Sequence, residues 1–287
     1  MKQHLAGIIP VSGIKTDFNM PWHGSLMPIG PNYLAVERAV LECAYAGCNT
    51  IWIACSDDVT PLIRYQVGEM IQDPVYSYRH FEFNKNEFKR PIRIYYVPIK
   101  IRDINKRDNL VWSAIHAAKV ANKVLRNISS YLAPEKFWIS WPYGYVDPSS
   151  MRECRKDISN SDVMITHEGK TAKDNLFLGM TLNMTQIEQL IKESKLRSSG
   201  MWVDPATRTQ KYPLEERFSY RNFNLQEVLE TLDCSSYQKV NAEEYYSIST
   251  WLEYCSFLSK KPSINKPKIL KCTEWNGTGV DEEEHGA

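Results

Sequence analysis

Short apolar runs alternate with stretches of three- and four-residue periodicity through the first half of the chain. Leu5 to Val11 is an apolar run closed by the turn-formers Ser12 and Gly13, and Thr50 to Cys55 and Ile92 to Ile99 are similar. Runs of this length between turn residues predict buried strands. Leu34 to Ala46 places Val36, Val40 and Cys43 on one helical face and stops at Gly47, a position suited to left-handed backbone. A shorter helix is expected from Pro61 to Met70. Val111, Ala114, Ala118, Ala121 and Leu125 predict a long helix, with Asp108 placed to cap it. Phe137 to Trp141 supplies a fourth strand. Strands and helices in this order predict an α/β fold built on a doubly wound, mostly parallel sheet.

The second half is less regular and reads as C-terminal helical elaboration. Thr185 with Glu188, Asn224 with Glu227 and Thr250 with Glu253 have the spacing of reciprocal N-terminal caps. The apolar positions behind them are Ile187, Leu190 and Ile191; Leu225, Val228, Leu229 and Leu232; and Leu252, Cys255 and Leu258. Ser198 to Asn222, rich in Arg, Pro, Gly and aromatics, reads as loop or hairpin. No linker precedes Ser259, so residues 1–258 are expected to form one domain and 259–287 a tail. In that tail lysines are interleaved with Pro262 and Pro267, Trp275 stands alone, and Asp281 to Glu284 form an acidic run. Its composition suits a solvated extension or a docking arm for a protein partner.

Charge changes the picture by exclusion. Thirty-five basic and 34 acidic residues leave a formal charge of +1, without the cationic excess of a general nucleic-acid binder. Without the acidic run that charge would be +5. Seven cysteines with no Cys-x-x-Cys pair suggest neither a disulfide framework nor a zinc ribbon. No stretch approaches the ~18 apolar residues of a membrane span, and the first residues do not read as a signal peptide. A soluble, cytoplasmic protein in a reducing compartment is expected.

Ligands of doubly wound sheets bind at the carboxyl ends of the strands, which directs attention to the loop after the first strand. It reads Pro10-Val11-Ser12-Gly13-Ile14-Lys15-Thr16-Asp17, followed by Ser25-Leu26-Met27-Pro28-Ile29-Gly30. With the helix containing Glu37-Arg38-Ala39-Val40-Leu41-Glu42 and the strand Thr50-Ile51-Trp52-Ile53, residues Ala6 to Asp58 resemble the sugar-phosphate nucleotidyltransferases. Fainter likeness returns at Leu178-Gly179-Met180 and Ile248-Ser249-Thr250-Trp251. The resemblance implies a nucleotidyltransferase-like fold, a nucleoside triphosphate and sugar 1-phosphate as substrates, and magnesium as cofactor. It places nucleotide contacts at Ser12, Gly13, Lys15, Thr16, Asp57 and Asp108.

The departures fall on the charged positions. The family's loop arginine aligns with Asp17, its lysine with Gly24, and its two metal-binding aspartates with Tyr143 and Ser249. Magnesium favours carboxylate oxygens, and phosphoryl transfer depends on charge neutralisation. Lys15 reads either as a replacement cation or as a solvent-facing lysine, and His23 either as a ligand contact or as a plain loop residue. Asp147, ahead of Pro148, suits an N-cap and is also the candidate metal ligand. Asp57 and Asp58 either touch a ligand edge or cap the next helix. Trp138, Trp141, Tyr143 and Tyr145 either stack a ligand, fill a vacated cavity or form a protein-contact patch. Catalytic residues remain unassigned. The expectation is a divergent nucleotidyltransferase-like protein with reduced or lost catalysis, binding a nucleotide, a nucleotide sugar or a protein partner. The alternatives are an active transferase with metal ligands relocated among Asp57, Asp58, Asp103 and Asp147, and a structural assembly subunit.

Overall fold

The computed structural model describes residues 4–14, 20–77, 91–101, 103, 109–199, 201–204, 208–211, 224–261 and 264–267. The chain enters through β1 (Leu5–Pro10), crosses the small hairpin β2 (Pro28–Gly30) and β3 (Tyr33–Leu34), and runs through α1 (Ala35–Ala46) into β4 (Thr50–Cys55). Next come α2 (Thr60–Val67), β5 (Met70–Gln72), α3 (Pro74–Ser77), β6 (Pro91–Pro98), α4 (Leu110–Ile128) and β7 (Lys136–Ile139). The remainder comprises β8 (Gly144–Tyr145), α5 (Met151–Asn160), β9 (Val163–Thr166), β10 (Met180–Asn183), α6 (Met184–Ser199), β11 (Met201–Asp204) and β12 (Arg208–Lys211). It ends with α7 (Leu225–Leu229), β13 (Gln238–Asn241), β14 (Tyr246–Ser247) and α8 (Trp251–Lys260).

Eight strands form one sheet in the order β13-β9-β10-β7-β1-β4-β6-β5, within which β10 and β5 run against the others. The central strands β1 and β4 are buried along their whole length because both faces of the sheet are covered there, whereas edge strand β13 is polar and largely exposed. Ile9, Ile51, Ile53 and Trp138 point to the layer holding α1, α2, α5 and α8, while Ile8, Trp52, Phe137 and Ile139 point to α4, α6 and α7. This is the doubly wound, mostly parallel architecture that the periodicity predicts. β1 lies between β4 and β7, so the chain winds outward from β1 through β4 to β6 and then crosses back over to β7 on the other side of β1.

An ion pair is buried between the layers. Arg38 and Glu42, one turn apart on α1, bond to each other, with side chains 1% and 5% exposed. The Trp138 indole N–H donates to Glu42 at 3.2 Å, and Arg38 donates to the Trp141 carbonyl. Helix α1 is therefore tied to the strand that leads toward the expected metal position.

Several expectations need correction. The cap of α4 is Asn109, whose Oδ1 accepts the Trp112 N–H at 2.7 Å; Asp108 lies outside the described residues. The reciprocal cap of α6 is Asn183 with Gln186, two residues earlier than Thr185 and Glu188. The helix expected to reach Met70 stops at Val67, because Gly68 turns the chain into edge strand β5. Helix α7 ends at Leu229, short of Leu232. On α8 the Thr250–Glu253 cap forms as expected, yet Tyr254 and Phe257 are buried while Leu252, Cys255 and Leu258 face outward. The aromatic pair buries more apolar surface, which decides the face. Within the segment assigned to the tail, Lys261 pairs with Glu244 at 2.5 Å and Lys266 with Glu37 at 2.6 Å. Trp275 and the acidic run lie outside the described residues.

The segment that carries Lys266 locks onto the β2–β3 hairpin. A Cβ at Gly30 would lie 2.2 Å from the Ile264 carbonyl oxygen. Gly30→Ala is expected to lower stability by about 1–3 kcal/mol through overpacking, read as a shifted urea midpoint. Arg38→Met is expected to lose about 3–5 kcal/mol because it strands a buried carboxylate. Arg38→Met with Glu42→Leu should lose less than either single change, measured in the same denaturation series.

Candidate functional site

The loop after β1 is held from three sides. The Val11 and Ser12 N–H groups both donate to the Ala54 carbonyl, at 2.8 and 3.3 Å, carrying the β1–β4 contact past the strand end. The Ser113 hydroxyl on α4 donates to the Ser12 carbonyl at 2.6 Å. The Tyr143 hydroxyl donates to the Val11 carbonyl at 2.7 Å. Gly13 has φ +107, and a Cβ there would lie 2.3 Å from the Asn109 carbonyl carbon. The loop thus rests on the first turn of α4 at the switch point of the sheet, where open α/β folds bind ligands. Lys15, Thr16 and Asp17 lie outside the described residues.

Two side chains in this contact are buried with an unpaired polar atom. The Ser12 hydroxyl and the Asn109 Nδ2 have no hydrogen-bond partner among the described residues, and their residues are 7% and 2% exposed. Asn109 escaped the sequence reading because the neighbouring Asp108 offered an equally good cap. The rim is acidic. Asp57 and Asp58 are exposed after β4. A hydrogen bond from Ser56 holds the Asp58 carboxyl below the usual carboxylate range, aided by backbone N–H groups and by His23. His23 caps the short turn Gly24–Leu26, its Nδ1 accepting the Ser25 N–H at 3.3 Å. Burial lowers the His23 pKa, and Asp58 opposes the shift only in part.

The two positions aligned with metal-binding aspartates come together. The Ile248 N–H donates to the Tyr143 carbonyl at 2.9 Å, and β8 pairs with β14 through Gly144 and Ser247. Neither side chain presents a carboxylate to a metal. Tyr143 is fully buried against Phe177, ring centroids 5.9 Å apart, and burial drives its phenol pKa far upward. The Ser249 hydroxyl donates to Glu253 at 2.9 Å; that carboxylate also accepts the Ser247 hydroxyl at 2.7 Å and the Thr250 N–H at 3.1 Å. Burial raises the Glu253 pKa, but these bonds outweigh it and the net shift is downward.

Asp147 accepts both the N–H and the hydroxyl of Ser149, at 3.0 and 2.7 Å, and caps the turn Pro148–Ser150. It also borders a cavity of about 430 Å³ shared with Glu153, Glu243 and Glu244. Asp103 is buried and interacts with His116. Among the described residues no three His, Cys, Asp or Glu side chains gather as a metal site. The residues at the aligned positions do not fit a magnesium ion. Trp138, Trp141, Tyr143 and Tyr145 are all buried, so they fill the interior and form no surface patch.

Comparison with solved structures matches about nine tenths of the chain to nucleotidyltransferases. A Bacillus anthracis protein assigned as a glucose-1-phosphate thymidylyltransferase, in complex with sucrose, superposes over 92% of this chain and 98% of its own, with TM-score 0.55 and 9% identity. UTP-bound UGPase from Acinetobacter baumannii covers 90% of this chain and 93% of its own, with TM-score 0.51 and 12% identity. The 4-diphosphocytidyl-2C-methyl-D-erythritol synthase of Anaerococcus prevotii covers 91% and 97%, with TM-score 0.51 and 9% identity. No family model and no curated protein sequence matches the chain. At such identities the likeness is one of fold. The fold is that of the nucleotidyltransferases, as the resemblance of residues Ala6 to Asp58 implies. No helix among the described residues is long and apolar enough to cross a membrane.

Because His23 titrates lower in the folded chain, the unfolded chain takes up the proton first as pH falls. Its contribution to stability is therefore present above pH ~6.5 and lost below it. His116 is lowered by burial with the same sign. His23→Asn, which keeps a capping acceptor, is expected to flatten part of the stability loss between pH 7 and pH 5, measured by urea unfolding. Tyr143→Phe is expected to cost about 1–3 kcal/mol by leaving the Val11 carbonyl unpaired. Faster amide exchange confined to the loop around Val11 would accompany that loss.

Proposed function

We propose that this chain uses a nucleotidyltransferase scaffold to bind a nucleotide-like ligand, without metal-dependent nucleotidyl transfer. One observation carries the reading: the Tyr143 hydroxyl is seated on the Val11 carbonyl at the position aligned with a metal-binding carboxylate. Transfer of a nucleotidyl group to a sugar phosphate brings two anions together and depends on cations to neutralise them. Tyr143 supplies a neutral phenol held by its own hydrogen bond, and Ser249 a hydroxyl committed to Glu253. What persists is the binding geometry: a loop pinned at the carboxyl edge of β1, β4 and β7, with the first turn of α4 beside it. UTP in the structure of the Acinetobacter UGPase supports a nucleotide-like ligand for a scaffold of this shape.

The test is calorimetry with nucleoside mono-, di- and triphosphates and nucleotide sugars, with and without magnesium, followed by a pyrophosphate-release assay with sugar 1-phosphates. Binding heat that is insensitive to magnesium, with no pyrophosphate above the buffer rate, is expected. Turnover abolished by Asp57→Asn or Asp147→Asn would establish an enzyme with relocated metal ligands and overturn the proposal. Absence of binding together with a concentration-dependent particle size would point to an assembly subunit.

A further inference from the structure

We propose that the outer face of helix α8 docks the same face of a second copy of this chain, the two helices running antiparallel about a two-fold axis near Cys255 and Ser256. Nothing in this surface depends on a ligand at the β1 loop.

Tyr254 and Phe257 anchor α8 in the core and leave a further set of apolar side chains outside. Leu252 is 80% exposed, and Trp251, Cys255 and Leu258 are exposed beside it. Single exposed apolar residues are ordinary, but a run of them on one helix makes a contiguous patch of the kind that marks an interaction site.

The order of residues on that face selects the occupant. At 3.6 residues per turn the outward side chains fall in three rows. Leu252, Cys255 and Ser259 run down the middle, Trp251 and Leu258 lie along one flank, and Glu253 and Lys260 lie along the other. When two identical helices pack face to face in opposite directions, each flank meets its own counterpart reversed. A reversed copy therefore sets Trp251 against Leu258, Leu252 against the small Ser259, and Glu253 against Lys260, each contact made twice. A parallel copy would set the charged flank against the apolar one. Both charges are accessible: Lys260 is exposed, and the Ser247, Ser249 and Thr250 bonds of Glu253 all fall on Oε2. Opposed helix dipoles favour the same direction. At the axis Cys255 and Ser256 are small enough for the two backbones to approach closely.

Area sets the strength. The ten residues of α8 span about 15 Å, and one helix face supplies less than the ~800 Å² per partner of a standard interface. The pairing is therefore reversible, and the dilute chain is a monomer.

Sedimentation of the full chain over about a hundredfold range of concentration tests this, with a shift from monomer to dimer expected. Leu252→Lys places a charge in the middle of the face and should weaken the dimer by about tenfold or more. The melting temperature of the dilute chain should hold, because that side chain is exposed. Lys260→Glu gives the charged flank a single sign and should weaken the dimer several-fold, less so at high salt. A short bismaleimide should join the two Cys255 sulfurs across the axis, and Cys255→Ser should remove that product while the dimer persists. A chain that stays monomeric throughout, or a dimer indifferent to Leu252→Lys or to Lys260→Glu, would overturn the proposal. So would a dimer in which Cys255 gives no cross-link.

Discussion

The buried pairing of Arg38 with Glu42 is the constraint on which the rest of the molecule depends. An isolated charge in the core is strongly unfavourable, so each partner must keep the other and fill its remaining valences. Glu42 does this with the Trp138 indole, and Arg38 does so in part with the Trp141 carbonyl, its Nε staying buried without a partner among the described residues. Those bonds fasten α1 to the strand at the centre of the sheet and fix the path of the chain beyond it. Trp141 is held again from the other side, its indole N–H donating to the Leu178 carbonyl at 2.9 Å. Two residues on, Tyr143 reaches the loop after β1. The geometry of the candidate site is thus set by polar contacts inside the core.

In a metal-dependent transferase, a cation draws carboxylates together from distant parts of the chain. Here hydrogen bonds bring the corresponding segments together. Tyr143 donates to Val11 and accepts from Ile248 through its carbonyl, while Glu253 collects Ser247, Ser249 and Thr250. Neutral partners avoid the mutual repulsion of two carboxylates, so the arrangement is stable without a cation to bridge them.

The C-terminal region contributes in the same way. Tyr254 on α8 donates to the Pro28 carbonyl at 2.7 Å, and Lys266 reaches Glu37, whose other oxygen accepts the Leu34 N–H at 3.1 Å. The hairpin between the β1 loop and α1 is therefore clamped by residues from the opposite end of the chain. A helix that looks peripheral in sequence becomes part of the support of the site.

The sequence by itself determined the elements whose signal is local. Thr50–Cys55 is a strand because the run is apolar and short, α1 stops at Gly47 because the backbone there has φ +94, and the Thr250–Glu253 cap closes within one turn. It also brought Ser12, Gly13, Tyr143 and Ser249 into question, through motif order, before any coordinates. Tertiary structure decided the matters that depend on competition between neighbours. Asn109 outcompetes Asp108 and Asn183 outcompetes Thr185 as caps, because the cap is set by where the helix begins in space. On α8, Tyr254 and Phe257 turn inward at the expense of Leu252 and Leu258, because burial rewards the larger aromatic surface that the facing layer can accommodate. The inward direction of Tyr143 and the unpaired donor of Asn109 arise from packing across more than thirty residues of separation, beyond the reach of any local pattern. That Tyr143 and Ser249 carry no carboxylate was legible in the chain; the hydrogen bond from Tyr143 to Val11 was not, since it joins segments that only the folded sheet brings together.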